Sequence, residues 1–247
     1  MEKSAQMGTN RTGMDASPFD SKKMLEGAEK FFHTQGSIQS LKALKRERID
    51  GAGPVGSVPI PGTPKGIFKS TMKKMTGHHP ETFINKLGER LAFERSGVRI
   101  YESFIEKCMS ADNEGREMIP IPIDRVRQFR DEEAKHFRLL KECLESIGAD
   151  PTAQTPDADI SGVASTGMLK VITDPRTSLS QCLETMLAIE LTDNAAWDLL
   201  IKLAEDMGMD DMARKFTAAR EEEDIHLQEI RTWYEDMVRD QAHLGAA

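Results

Sequence analysis

The sequence predicts an all-α protein: an antiparallel four-helix bundle with a long crossover between helices 2 and 3, preceded by a mostly irregular extension. Three observations predict it. Four stretches between Thr82 and Ala242 carry helical periodicity. Two of them stop at glycines, Gly148 and Gly208. The connections after the first and third are short, whereas the one after the second runs about thirty residues, which suits an end-to-end crossover.

Residues 1–80 read as an N-terminal extension, and residues 81–247 as the bundle domain. The extension carries 13 Lys/Arg against 7 Asp/Glu, a balance of +6, whereas the remainder carries 20 against 34, a balance of −14. The acidic part is a host for cations; the basic part is too weakly charged to argue for nucleic acid. Within the extension an amphipathic helix is predicted over Ser21–Phe32, opened by Pro18 and Asp20. A basic segment follows at Ser37–Arg48, and a short helix is predicted near Ile67–Met75. Between the last two lies GAGPVGSVPIPGTPKG, too rich in Gly and Pro for a helix or central strand. His78 and His79 read as a solvated loop pair. The polar stretch MEKSAQMGTNRTGMD holds no apolar signal core, and no run of eighteen apolar residues occurs. The three cysteines make no CxxC pair. A soluble, cytoplasmic, membrane-independent protein is expected.

The four bundle helices are predicted over Thr82–Met109, Ile123–Ile147, Ser178–Met207 and Asp210–Ala242. Each carries a stripe with spacings of three and four, the mark of a core-facing seam. The first stripe is Leu87, Leu91, Glu94, Val98, Tyr101, Ile105, Cys108. The second is Val126, Phe129, Glu133, His136, Leu140, Cys143, Ile147. The third is Leu179, Leu183, Met186, Glu190, Asp193, Trp197, Leu200. The fourth is Met212, Phe216, Ala219, Glu223, His226, Ile230, Trp233, Met237.

Every stripe is apolar except near its middle. A buried, unpaired carboxylate costs several kcal/mol, roughly, even after relaxation. Four such residues at one depth make a pair of divalent cations the economical resolution, with Glu94, Glu133, Glu190 and Glu223 neutralising the charge and His136 and His226 completing the ligand set. Carboxylate with imidazole suits iron, manganese or a mixed pair. In Glu133-Ala-Lys-His136 and Glu223-Asp-Ile-His226 the two donors stand three apart, one turn along one face. With 23 Glu and 6 His in 247 residues, about half of one Glu-x-x-His match is expected by chance, so the seam positions carry the inference, not the motif alone.

The order Glu, ExxH, Glu, ExxH on four successive helices resembles the ferritin-like superfamily, including bacterioferritin and rubrerythrin. The segment LGERLAFERSGVRIYESF looks like bacterial ferritin-like domain proteins. The resemblance covers about residues 82–240, and the absence of a CxxC pair departs from full rubrerythrins. It implies two iron ions bridged by Glu133 and Glu223, one completed by Glu94 and His136, the other by Glu190 and His226. Tyr101, seven residues after Glu94, is by the same resemblance either a one-electron donor to the site or a core tyrosine with a bonded hydroxyl. Asp193 is either an exchangeable ligand, as rubrerythrins place an extra carboxylate nearby, or a partner that hydrogen-bonds a ligand histidine. Trp197 and Trp233 are expected to pack; Glu221, Glu222 and Asp224 are expected to form a solvated face.

Three functions follow as expectations. The first is reduction of O2 or H2O2, with free Fe(II) as a substrate in the ferroxidase case. The second is an oxygenase acting on an organic substrate, for which Gly97 could open space beside the metals. The third is a non-catalytic metal-binding bundle or partner-binding module. A homodimer or higher homo-oligomer, packed through helix faces, is expected.

Overall fold

The computed structural model describes residues 9–10, 12–31, 38–60, 79–113 and 121–243. Among the described residues there are seven α-helices and no strand. Residues 5–55 form one compact unit, and residues 56–247 belong to a second.

The first unit contains α1 (Pro18–Phe31) and α2 (Ile38–Asp50). Helix α1 begins three residues before the predicted Ser21. Proline is well suited to a first helical position, because its missing N–H lacks an intrahelical partner there anyway. The predicted basic segment is helical over its described residues, from Ile38, and the helix continues to Asp50. The predicted helix near Ile67–Met75 and His78 lie outside the described residues. His79 is exposed, with Nδ1 3.2 Å from Glu81 Oε1.

The second unit holds α3 (Pro80–Asn113), α4 (Ile123–Ser146), α5 (Pro156–Thr173), α6 (Leu179–Asp206) and α7 (Asp210–His243). Helices α4 and α6 end as expected at Gly148 (φ 83°) and Gly208 (φ 65°). Each is a Schellman ending. Gly148 N–H donates to Glu145 O at 3.0 Å and Ala149 N–H to Leu144 O at 3.0 Å; Gly208 and Met209 repeat this on Glu205 and Ala204, both at 2.8 Å. Helix α6 opens with a capping box between Ser178 and Gln181.

The crossover contains a helix, α5, that the sequence reading did not place. Its start has a regular signature: Thr155 as cap, Pro156 in the first turn, Asp157 and Asp159 beside the helix N-terminus. Gly162, Gly167 and the Ser/Thr residues dilute its apolar pattern, so packing decides the outcome. Small buried residues, Ala158, Ser161 and Ser165, let it lie close against α3. Asp157 N–H donates to Asn85 Oδ1 at 3.1 Å at one end of α3. Lys107 Nζ donates to Thr177 Oγ1 at 2.7 Å and to the Asp174 carbonyl near the other end. Helix α5 therefore runs alongside α3 and carries the chain from end to end.

Two apolar clusters fix the directions of the long helices. One joins the C-terminal half of α3 (Ile100 to Cys108), the start of α4 (Val126, Phe129), the start of α6 (Leu179 to Ile189) and the C-terminal half of α7 (Ile230, Met237). The other joins Phe83 to Leu91 of α3, Leu140 to Leu144 of α4, Trp197 to Ala204 of α6 and Ala213 to Ala219 of α7. Helices α3 and α7 thus run one way, and α4 and α6 the other, in a helical bundle. Between the clusters, each helix passes through one shared layer of charged residues. Among the described residues, no helix is long and apolar enough to cross a membrane.

Candidate metal centre

The layer contains all six predicted ligands. Glu94, His136, Glu190, Glu223 and His226 are 0 % exposed and Glu133 is 1 % exposed. Amphipathic periodicity brings them there: each occupies a seam position in a stripe that is apolar above and below the layer, so helix packing buries it whatever its charge. Three groupings of ligand atoms lie within 4.8 Å of one another: Glu133, Glu190, Glu223 and His226; Glu94, His136 and Glu223; and Glu94, Glu133, Asp193 and Glu223. Glu223 belongs to all three. Its oxygens lie 2.6 Å from His136 Nδ1 and 3.0 Å from His226 Nδ1.

Those contacts are close without hydrogen-bond geometry. Both carboxylate oxygens of Glu94, Glu133 and Glu223, and Nδ1 of both ligand-candidate histidines, are buried without a hydrogen-bond partner among the described residues. Buried polar groups are otherwise almost always paired, because an orphan forfeits its hydration for nothing. Atoms of this kind, converging from four helices, fit a cation.

The outward faces of the imidazoles are braced. Glu132 Oε2 lies 2.7 Å from Nε2 of His226, and Glu222 Oε2 lies 2.8 Å from Nε2 of His136. An ionised carboxylate only accepts, so each Nε2 carries the hydrogen, and loss of the second proton leaves an Nδ1 lone pair facing inward. Lys135 Nζ holds Glu222 at 2.5 Å and Gln128 Nε2 holds Glu132 at 2.8 Å. This corrects the assignment of Glu222 to a solvated face. Glu221 is exposed, and Asp224 pairs with Arg220 at 3.4 Å. The overlooked signal is a repeat: Glu-Glu-x-x-His occurs twice, at 132–136 and 222–226.

Tyr101 is fully buried, and its hydroxyl donates to Glu190 Oε1 at 2.5 Å. Burial, and then Glu190, hold the phenol well above its ordinary pKa. Asp193 is 0 % exposed, and its partner is Arg90, whose Nη2 lies 3.1 Å from Oδ1. Arg90 Nε also meets Glu94 Oε1 at 2.8 Å. Sequence reasoning missed this buried arginine. Asn194 Nδ2 donates to the backbone carbonyls of Glu190 and Glu223 at 2.9 and 3.0 Å, tying α6 to α7 at the level of the site. Trp197 is fully buried against His136, ring centroids 5.6 Å apart, while Trp233 is partly buried and stacks on Phe129.

Gly97 admits the site rather than opening space beside it. A Cβ there would overlap the Glu133 carboxylate, 3.0 Å from its Cδ and closer still to Oε2.

Burial and crowding of like charges favour the protonated form of most of these carboxyls. Burial, then the charge of Glu223, push the Glu190 carboxyl up to about 8. Burial and neighbouring carboxylates raise Glu133 well above the carboxylate range. Burial raises Asp193 likewise, against the pull of Arg90. Glu223 goes the other way: burial pushes it up, but His226 and His136 outweigh that and hold it down. Burial alone would lower His226, yet Glu223 and Glu132 raise it well above an ordinary histidine.

No protein-family model matches the chain, and neither a curated protein nor a solved structure matches it. The architecture and the buried Glu/His cluster therefore stand on the chain's own residues.

Proposed function

We propose that this chain is a di-metal carboxylate protein with a ferritin-like four-helix fold. It holds two iron ions and reduces O2 or H2O2, as a ferroxidase or a peroxidase. The observation that carries the reading is the set of buried oxygens of Glu94, Glu133 and Glu223 and Nδ1 atoms of His136 and His226, which have no hydrogen-bond partner among the described residues. Charge supports it as well. Glu94, Glu133, Glu190, Asp193 and Glu223 supply five negative charges and Arg90 one positive, a balance of −4 that two divalent cations cancel.

In this reading Glu133 and Glu223 would hold both ions, with Glu94 and His136 on one and Glu190 and His226 on the other. Bound iron supplies the electrons that reduce the oxidant. The protein's residues do the rest. Glu132 and Glu222 keep the imidazoles oriented through Nε2–H. The apolar clusters on either side exclude bulk water, which strengthens each charge interaction inside. Tyr101 holds a proton on Glu190 Oε1 and is placed to give up an electron and that proton together. The room beside Gly97, on which an oxygenase reading leaned, is taken by Glu133.

The test is elemental analysis of anaerobically prepared protein, followed by stopped-flow mixing of the Fe(II)-loaded form with O2 and, separately, with H2O2. Two irons per chain and an absorbance change with one oxidant are expected. A chain that takes up no iron, or iron that neither oxidant touches, refutes the proposal.

A further inference from the structure

The two halves of the charged layer differ at corresponding positions. Four residues before its layer glutamate, α3 has Arg90 and α6 has Met186; three residues after it, α3 has Gly97 and α6 has Asp193. Asp193 thus reaches from α6 to the arginine of α3. Arg90 is 2 % exposed, spans Glu94 at 2.8 Å and Asp193 at 3.1 Å, and lies 4.1 Å from the ring centroid of Phe93. A guanidinium cannot discharge itself by losing its proton, so this is a permanent buried cation at one end of the layer. The glutamate at the other end, Glu190, instead receives the neutral hydroxyl of Tyr101.

Resting on the two-metal reading of this cluster, we infer that Arg90 makes the two metal positions unequal and sets their order of filling. A divalent cation at Glu94 and His136 shares Glu94 with a guanidinium and is repelled by it, in surroundings that screen charge poorly. A divalent cation at Glu190, His226, Glu133 and Glu223 shares none of its own terminal ligands with a guanidinium. The Glu190–His226 position fills first and tightly; the Glu94–His136 position fills second. Arg90 is a positioning residue. It engages one oxygen of Glu94, keeps Asp193 turned toward itself, and lets the layer come to neutrality with two divalent ions rather than more.

Titration of the metal-free full chain with Mn(II), followed by electron paramagnetic resonance and equilibrium dialysis, tests this. The wild type is expected to bind in two steps whose Kd values differ at least tenfold. The first equivalent gives the spectrum of an isolated ion, and the second gives a coupled pair. His226→Gln removes the tight step and His136→Gln the weak one. Arg90→Gln tightens the weak step at least tenfold, and Arg90→Lys, which keeps the charge, leaves the two steps apart. Equal wild-type steps overturn the inference without recourse to any variant, and so does loss of the tight step in His136→Gln. A weak step unchanged in a folded Arg90→Gln protein also overturns it. Two ions bound with equal affinity refute the role of Arg90 alone; no bound Mn(II) refutes the two-metal reading as well.

Discussion

Glu132 on α4 reaches across to α7 and sets its Oε2 2.7 Å from Nε2 of His226. Helix α7 returns the gesture, with Glu222 2.8 Å from Nε2 of His136. Each Glu-x-x-His helix therefore orients the imidazole of the other, and the pair of contacts locks two helices in register at the depth of the site. The contacts also explain why both histidines turn Nδ1, rather than Nε2, toward the carboxylates.

Removing either brace leaves its ring free to turn and less basic. Glu132→Ala and Glu222→Ala are each expected to weaken Mn(II) binding about ten- to a hundredfold, the usual cost of losing a carboxylate behind a ligand histidine. Both braces are partly exposed, so the metal-free variants should melt close to the wild type. Isothermal titration beside thermal melts separates the two effects. Unchanged affinity in both variants refutes the bracing role.

Gly97→Ala sets helix propensity against the site. In an ordinary exposed helix the change stabilises by about 1 kcal/mol. Here the new methyl overlaps the Glu133 carboxylate, which must swing out of the layer. The variant is expected to fold, keep its helical circular dichroism, and lose at least one of two bound metal ions. Full stoichiometry in Gly97→Ala would show that Glu133 is free to bind from another direction.

Much of this was legible before any coordinates. The seam spacings place Glu94, Glu133, His136, Glu190, Glu223 and His226 at one level, and the helix ends at Gly148 and Gly208 follow from local backbone chemistry. Arg90 was not found, because the first stripe was traced through Leu91. An equally regular path, Phe83, Leu87, Arg90, Glu94, Gly97 and Tyr101, has spacings of four and three, and all six are buried. Arg90 breaks the apolar pattern on that path, although a site that gathers anions is where a buried cation belongs. Helix α5 was hidden for a different reason. Its glycines and hydroxyl residues are poor helix formers, and its stability comes from contact with α3, which no local window contains.

Tyr101→Phe deletes one hydroxyl and nothing else. Glu190 loses a 2.5 Å donor, a loss of roughly 1.5–3 kcal/mol for a hydrogen bond to a charged group. Metal stoichiometry should stay at two, because Glu190 keeps both oxygens. Oxidation of bound Fe(II) should slow, and any tyrosyl radical seen after H2O2 in the wild type should vanish. A radical that persists in Tyr101→Phe assigns the electron to another residue.

Metal-free protein should lose stability as pH rises from 5.5 to 8. The Glu190 carboxyl is raised to about 8, so between the ordinary 4.5 and that value the folded chain keeps a proton that the unfolded chain has released. Stability then falls with pH. His226, raised well above 6.5, acts in the same direction from that pH upward. Glu223 is lowered, so its contribution is complete above 4.5 and is lost only toward acid; it does not oppose the trend in this window. Divalent metal replaces these protons, so its binding releases them and its stabilisation grows with pH. Melting curves of EDTA-treated and Mn(II)-loaded protein at pH 5.5 and 8 should diverge, by several degrees at least for a few kcal/mol in a chain this size. An EDTA-treated chain that melts higher at pH 8 than at pH 5.5 would mean that protons do not hold the empty layer together, and that the carboxylates already have partners of another kind.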